Sequence, residues 1–180
     1  MGVEDGSSPE AQRKQRFVAL FEAYYDYSFH SLRRLGVADA DVEDVLHDMF
    51  MMVYQKLDQL DPTRPVKPWL FAFAVRFASD YRRLARHRVT GGDRVLATLP
   101  GGASPEEDAS RAQATSLAMR ALGELSLEVR SVFIAYELDE IPMKDIAMSM
   151  GIPVNTAYSR LRLAREQLGT ACATIREGSQ

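Results

Sequence analysis

The stretch PMKDIAMSMGIPVNTAYSRLRLAREQL, residues 142–168, reads as two short helices joined by one tight turn. In residues 143–150, Ile146, Ala147 and Met150 recur at helical spacing and form one apolar stripe. Gly151 follows, the residue that takes positive φ freely where a helix must stop and turn. Ile152 is placed to plug the gap between the helices. Pro153 is placed to start the second, where its missing N–H costs little. Down that second helix, Ala157, Leu161, Ala164 and Leu168 make the inward face, with Ala147 and Ala157 small where the helices cross. The outward face carries Asn155, Thr156, Tyr158, Ser159, Arg160, Arg162 and Arg165. Hydrogen-bonding groups near a helix N-terminus, with arginines behind them, suit a helix that enters a DNA major groove and grips flanking phosphates. An ordinary helical hairpin with a solvated basic face carries the same pattern, so this segment alone leaves both readings open.

Composition narrows the rest. A hydrophobic share of 46% over 180 residues is that of a globular protein and argues against wholesale disorder. A single cysteine, Cys172, excludes an intramolecular disulfide and a cysteine-based zinc site. His30, His47 and His87 lie far apart, so neither a metal nor another cofactor is expected. The N-terminus has no apolar run of the signal-peptide kind, and no stretch approaches the ~18 apolar residues of a membrane span. The expectation is a cytoplasmic protein with no membrane insertion. Net charge is −3, but its distribution says more than its sum. Between positions 36 and 61 stand Asp39, Asp41, Glu43, Asp44, Asp48, Asp58 and Asp61 against Lys56 alone. Between 76 and 88 stand Arg76, Arg82, Arg83, Arg86 and Arg88 against Asp80 alone.

Residues 1–12 are polar and expected to be disordered. Phe17, Leu20, Phe21, Tyr24, Tyr25, Phe29 and Leu32 then recur at three- and four-residue steps and predict a helix over 13–35, closed by Gly36. Asp39 or Asp41 caps a second helix reaching residue 60, with the stripe Val42, Val45, Leu46, Met49, Val53, Leu57 and Leu60. Three prolines in DPTRPVKP, residues 61–68, force a loop, and Pro68 can open a third helix to residue 88. Leu70, Ala74, Phe77, Tyr81 and Leu84 of that helix are expected to face a core. Aromatic rings beside arginines also suit a single-stranded nucleic-acid surface, although at least half of these rings are read as core. Residues 89–104 hold four glycines and read as a linker. Ser104, Pro105 and Glu107 form a capping box that starts a helix to residue 122, and Ser126 caps another over 127–137 with Val129, Val132, Phe133 and Tyr136 inward. No segment shows strand alternation. The fold class is all-α, with a three-helix domain over 13–88 and a four-helix domain over 105–176.

These motifs together resemble the group IV, extracytoplasmic-function RNA polymerase sigma factors of bacteria, over nearly all of residues 17–168. Residues 43–62 (EDVLHDMFMMVYQKLDQLDP) and 68–88 (PWLFAFAVRFASDYRRLARHR) resemble sigma region 2, and residues 122–166 resemble region 4. The resemblance implies that Asp44, His47, Asp48 and Met51 dock on the clamp coiled coil of the polymerase β′ subunit, with a further contact to the β flap. It implies that the third helix and the loop before it read and open the −10 element through Arg64, Lys67, Trp69, Arg76, Phe77, Asp80, Arg82, Arg83 and Arg86. A base flipped from the non-template strand would enter the 61–67 loop. It implies that Asn155, Thr156, Tyr158, Ser159 and Arg162 face the −35 element, while Arg160, Arg165 and Lys144 touch phosphate. Partners implied are core RNA polymerase, promoter DNA and an anti-sigma factor. The family usually has Gln where His47 stands and often Asn where Phe77 stands. It often has a basic residue where Tyr158 and Leu163 stand, and that replacement implies a shifted −35 preference.

Two other readings account for part of the chain: a helix-turn-helix regulator acting without polymerase, and a sigma-like decoy that binds an anti-sigma factor. The first leaves the arginines of 76–88 without a task, and the second needs neither those arginines nor a polar recognition face. No Gly-rich phosphate loop and no Ser/His/Asp or Cys/His set stands at a suggestive spacing, so no catalytic residue and no enzyme activity is assigned.

Overall fold

The computed structural model describes residues 8–88 and 105–177, and among them every regular element is helical. Side chains are described for 8–85 and 113–170. The expected linker, Ser104, the Arg86 side chain and the Cys172 side chain lie outside those described residues.

Helix α1 spans Pro9–Leu35 and begins earlier than its apolar stripe. Ser8 accepts a hydrogen bond from the Ala11 amide at 3.2 Å, Pro9 occupies the first turn, and Glu10 sits where the helix dipole favours an acid. The expected disorder of residues 8–12 is therefore corrected: local capping extends the helix through a stretch with no apolar face. At the other end Gly36 takes φ 100°. Its amide donates to the Arg33 carbonyl and the Val37 amide to that of Leu32, a Schellman closure with Val37 folded back into the core.

Helix α2 spans Val42–Lys56, continues as one tighter turn over Leu57–Gln59, and buries Val42, Leu46, Met49, Phe50, Val53 and Leu57. Helix α3 spans Val66–Arg88, so Pro68 lies in its first turn rather than at its first position. Its buried stripe is Leu70, Phe71, Ala74 and Ala78. Leu84, expected in the core, is 54% exposed, because α1 and α2 no longer cover the helix that far along. The Tyr81 hydroxyl donates to Asp41 Oδ2 at 2.6 Å, which ties α3 to the residue preceding α2. These three helices pack on one another as one unit.

The second unit holds α4 (Pro105–Glu124), α5 (Leu127–Phe133), α6 (Met143–Ser149) and α7 (Val154–Glu177), with α4, α5 and α6 all packed on α7. Ser126 caps α5 by accepting from the Val129 amide. The helix then widens into a π-turn over Ile134–Leu138. That extra residue per turn rotates the inward face, so Ile134 and Ala135 are buried and the expected Phe133 and Tyr136 are only partly so. Gly151, at φ 64°, closes α6 as Gly36 closes α1: its amide donates to Met148, and that of Ile152 to Ala147. Pro153 lies just outside α7 and offers its carbonyl to the Ala157 amide, so the helix starts one residue later than expected.

The two units also touch. α3 packs against α5 and α6, α1 packs against α5, and the buried apolar residues of both join in one cluster.

Candidate nucleic-acid interface

In α7, Ala157, Leu161 and Ala164 are buried at 0%, 3% and 0% exposure, which fixes the helix's rotation. Asn155, Tyr158, Ser159, Arg162 and Arg165 are consequently exposed, Thr156 and Arg160 are half-exposed, and Lys144 of α6 is exposed. Hydrogen-bonding and apolar groups thus share the N-terminal end of one face: Asn155 and Ser159 beside Val154 and Tyr158. Such a mixture can read base-edge donors and acceptors together with a thymine methyl group. Arg165 is not idle. Its Nε and Nη2 donate to Glu137 Oε1 at 2.9 and 2.5 Å, a fork that holds the guanidinium against the π-turn.

On α2, Asp44, His47, Asp48 and Met51 are all exposed and fall at i, i+3, i+4 and i+7, one face of the helix. Met51 is 49% exposed, an apolar group set among acids.

The expected arginine face of α3 divides in two. Arg76, Asp80 and Arg83 are exposed at i, i+4 and i+7, with Arg83 Nη2 3.3 Å from Asp80 Oδ1. Phe77 is partly buried against the core, and Trp69 packs edge-on to Phe73 at 4.9 Å. Arg82 follows Ala78 round the helix to the other side, toward the second unit, where it acts electrostatically on Glu128 and Arg130. Glu128 is held below the ordinary carboxylate range, first by its own backbone at the start of α5, then by Ser126, with Arg160 and Arg82 adding to the effect. The loop before α3 is a built turn. Asp61 accepts from the Thr63 amide and hydroxyl at 2.9 and 2.6 Å and pairs with Arg64, and the Thr63 bonds hold its carboxyl low. Arg64 reaches Met148 Sδ of α6, and Lys67 Nζ stands 5.4 Å from the Tyr27 ring centroid.

Tyr27, Arg34, Arg130 and Asp139 escaped the sequence reading. The Asp139 side chain, 3% exposed, accepts the Tyr27 hydroxyl at 3.0 Å and Arg34 Nη1 at 3.2 Å. Burial raises its carboxyl above the usual range, opposed by Tyr27, Arg34 and Lys67. Arg130 is buried beside Gly36 and donates through Nη2 to the Leu125 carbonyl at 3.4 Å. Burial, and then the Arg82 charge, push its guanidinium down to about 10, with Glu124 opposing. Nothing in the spacing signals the pairing of Asp139 with Tyr27 and Arg34, which lie 112 and 105 positions away.

Among the described residues, no group of three or more His, Cys, Asp or Glu could hold a metal ion, and no helix is long and apolar enough to cross a membrane. Comparison with known proteins gives two family matches: Sigma-70 region 2 over residues 20–88, and Sigma-70, region 4 over residues 116–168. The chain is 32% identical over 152 residues to the ECF RNA polymerase sigma factor SigL of Mycobacterium tuberculosis, covering 81% of this chain and 85% of SigL. It is 28% identical to the RNA polymerase sigma factor NccH of Alcaligenes xylosoxydans xylosoxydans, covering 76% and 75% respectively. In fold it resembles the sigma factor RpoE solved in complex with the anti-sigma factor NepR from Bartonella quintana, at a TM-score of 0.69 and 21% identity over 87% of this chain and 96% of RpoE.

Proposed function

The chain belongs to the extracytoplasmic-function (ECF) RNA polymerase sigma factors of the sigma-70 family, and from that premise we propose how its surfaces divide the work of directing polymerase to promoters. The acidic face of α2, with Met51 at its centre, docks on the β′ clamp. Asp44 and Asp48 supply charge complementarity there, and His47 a hydrogen bond. The second unit meets the β flap. The exposed N-terminal face of α7 enters the major groove at the −35 element, with Asn155, Tyr158, Ser159 and Arg162 toward the bases and Lys144, Arg160 and Arg165 toward phosphate. A bidentate Arg–guanine contact discriminates by ~1–3 kcal/mol.

Arg76, Arg82, Arg83 and Arg86 of α3 hold the −10 backbone, with Asp80 and Phe77 between them. The 61–67 loop receives a flipped base, Arg64 and Lys67 flanking it and Trp69 lying close by. Extrusion costs a few kcal/mol, which stacking and a pocket offset. The sigma factor RpoE, which shares this fold, has been solved with the anti-sigma factor NepR, which supports an anti-sigma partner for this chain.

One observation carries the assignment. Rotation of α2 and α7 by their buried stripes leaves an acidic face on one unit and a polar, basic face on the other, both exposed. The experiment mixes the chain with bacterial core RNA polymerase and a genomic promoter library and maps transcript starts. Starts sharing two upstream motifs, absent without the chain and reduced by Asp48→Arg, are expected. Duplex binding with no polymerase-dependent starts would instead make the chain an ordinary helix-turn-helix regulator.

A further inference from the structure

Helix α7 opens on two apolar side chains that the core does not take up. Val154, its first residue, is 40% exposed, and Tyr158 is 52% exposed. Four positions apart, they stand one above the other on a single flank of the helix. Arg162, exposed and another four positions on, continues that row. The buried stripe Ala157, Leu161 and Ala164 fixes the rotation of α7, so neither apolar side chain can turn inward without bringing that stripe into solvent. Leu163, also exposed, falls on the other flank, five positions from Tyr158.

Two half-exposed side chains fall far short of the ~800 Å² that each partner contributes to a stable protein interface. Their surroundings are polar and cationic. Asn155 and Ser159 lie alongside them, Arg162 follows in the same row, and Arg160 is half-exposed on the same helix. A small apolar spot, hydrogen-bonding groups beside it and cations beyond it complement the major groove of duplex DNA. Each base pair there offers donors and acceptors between two lines of phosphate. Only thymine adds an apolar group, its 5-methyl. Residues at the N-terminal end of a recognition helix are the ones that reach base edges.

We propose that Val154 and Tyr158 together read the 5-methyl group of a thymine in the −35 element, which makes Val154 a specificity-determining residue. The inference rests on the sigma-factor reading and deepens it by naming the base. The methyl group enters between the Val154 branch and the Tyr158 ring, and water leaves all three apolar surfaces. Asn155 and Ser159 are left for the polar edges of neighbouring bases. Arg162 follows Tyr158 by about one helical turn, ~6 Å, or roughly two base-pair steps along the duplex. The thymine therefore lies within about two pairs of the base that Arg162 meets.

The test uses the full chain bound to bacterial core RNA polymerase, with promoter duplexes taken from the mapped start sites. Each −35 thymine is replaced in turn by deoxyuridine, which deletes the methyl group and keeps every hydrogen-bonding edge. Competition binding measures the affinity of each duplex. One thymine, or two adjacent ones, is expected to lose roughly fourfold on replacement, the worth of one buried methyl group. In Val154→Ala that loss should shrink to about twofold or less, while Val154→Ile, which keeps the branched surface, should retain it. Both changes fall at an exposed position, and circular dichroism checks that the fold is kept. Equal binding of every deoxyuridine duplex would overturn the proposal. So would a methyl dependence that Val154→Ala and Tyr158→Ser leave unaltered. Weaker binding of core polymerase by Val154→Ala in the absence of DNA, with no methyl dependence, would assign the pair to a protein surface instead. Failure of the sigma reading shows separately, as no polymerase-dependent starts from the unaltered chain.

Discussion

The hydroxyl of Tyr27 donates to the buried carboxylate of Asp139 at 3.0 Å, across 112 positions of sequence and between the two helical units. Burial first, and then the neighbouring carboxylate, push the Tyr27 phenol far above its ordinary range. The sign follows from that direction. A group raised in the docked state contributes its full share below the ordinary phenol value of about 10, and loses it as pH rises through the native value. Tyr27 is therefore expected to ionise well above the ordinary phenol range in an ultraviolet titration. Asp139→Ala should move that ionisation to lower pH. The absence of any late-ionising phenol in the unaltered chain would show that the contact is not made in solution.

Gly36 meets Arg130 across the same seam. A Cβ at Gly36 would come within 2.6 Å of Arg130 Nη1, and φ of 100° is a conformation that side chains resist. Gly36→Ala is expected to destabilise by about 1–2 kcal/mol from the backbone alone. It also displaces the buried guanidinium. Thermal unfolding measures the first effect. Arg130→Ala in the Gly36→Ala background separates the second, since the double variant should lose less than the sum of the two single changes.

Tyr81 donates to Asp41 at 2.6 Å, inside the first unit. Tyr81→Phe should cost roughly 1–2 kcal/mol, because a partly buried carboxylate loses a donor. Chemical denaturation reads that cost. Neither the −35 affinity nor the separation of the units should change, as both surfaces lie elsewhere.

Glu137 holds Arg165 by two hydrogen bonds on the second unit. Glu137→Gln weakens that hold and frees the guanidinium for phosphate. Affinity for the −35 duplex is expected to rise, with the slope of log affinity against log salt steeper by about one phosphate contact. An unchanged slope would remove Arg165 from the backbone-contacting set.

Tyr158, 52% exposed on the N-terminal face of α7, is among the side chains proposed to read bases. Tyr158→Arg should redirect rather than abolish −35 selection, toward guanine, by ~1–3 kcal/mol at one position. Selection from a randomised duplex pool checks this. A uniform loss across all sequences would make Tyr158 a packing residue.

By itself the sequence determined what nearest neighbours along the chain decide. Helical period placed Leu46, Met49 and Val53 inside, and Ala157, Leu161 and Ala164 beneath an exposed polar face. Gly36 and Gly151 marked their helix ends because both stops close through bonds spanning six residues or fewer. The exposed set Asp44, His47, Asp48 and Met51 was legible for the same reason, as the complement of a buried stripe. The tertiary structure alone decided the rest. A π-turn shifted the buried face to Ile134 and Ala135, and the end of the three-helix packing left Leu84 in solvent. Docking of the units turned Arg82 aside and joined Tyr27 and Arg34 to Asp139. Periodicity reports which side of a helix is apolar, over a few residues. Which foreign side chain arrives on that side depends on shape and charge brought together from a hundred positions away, and no local pattern encodes it.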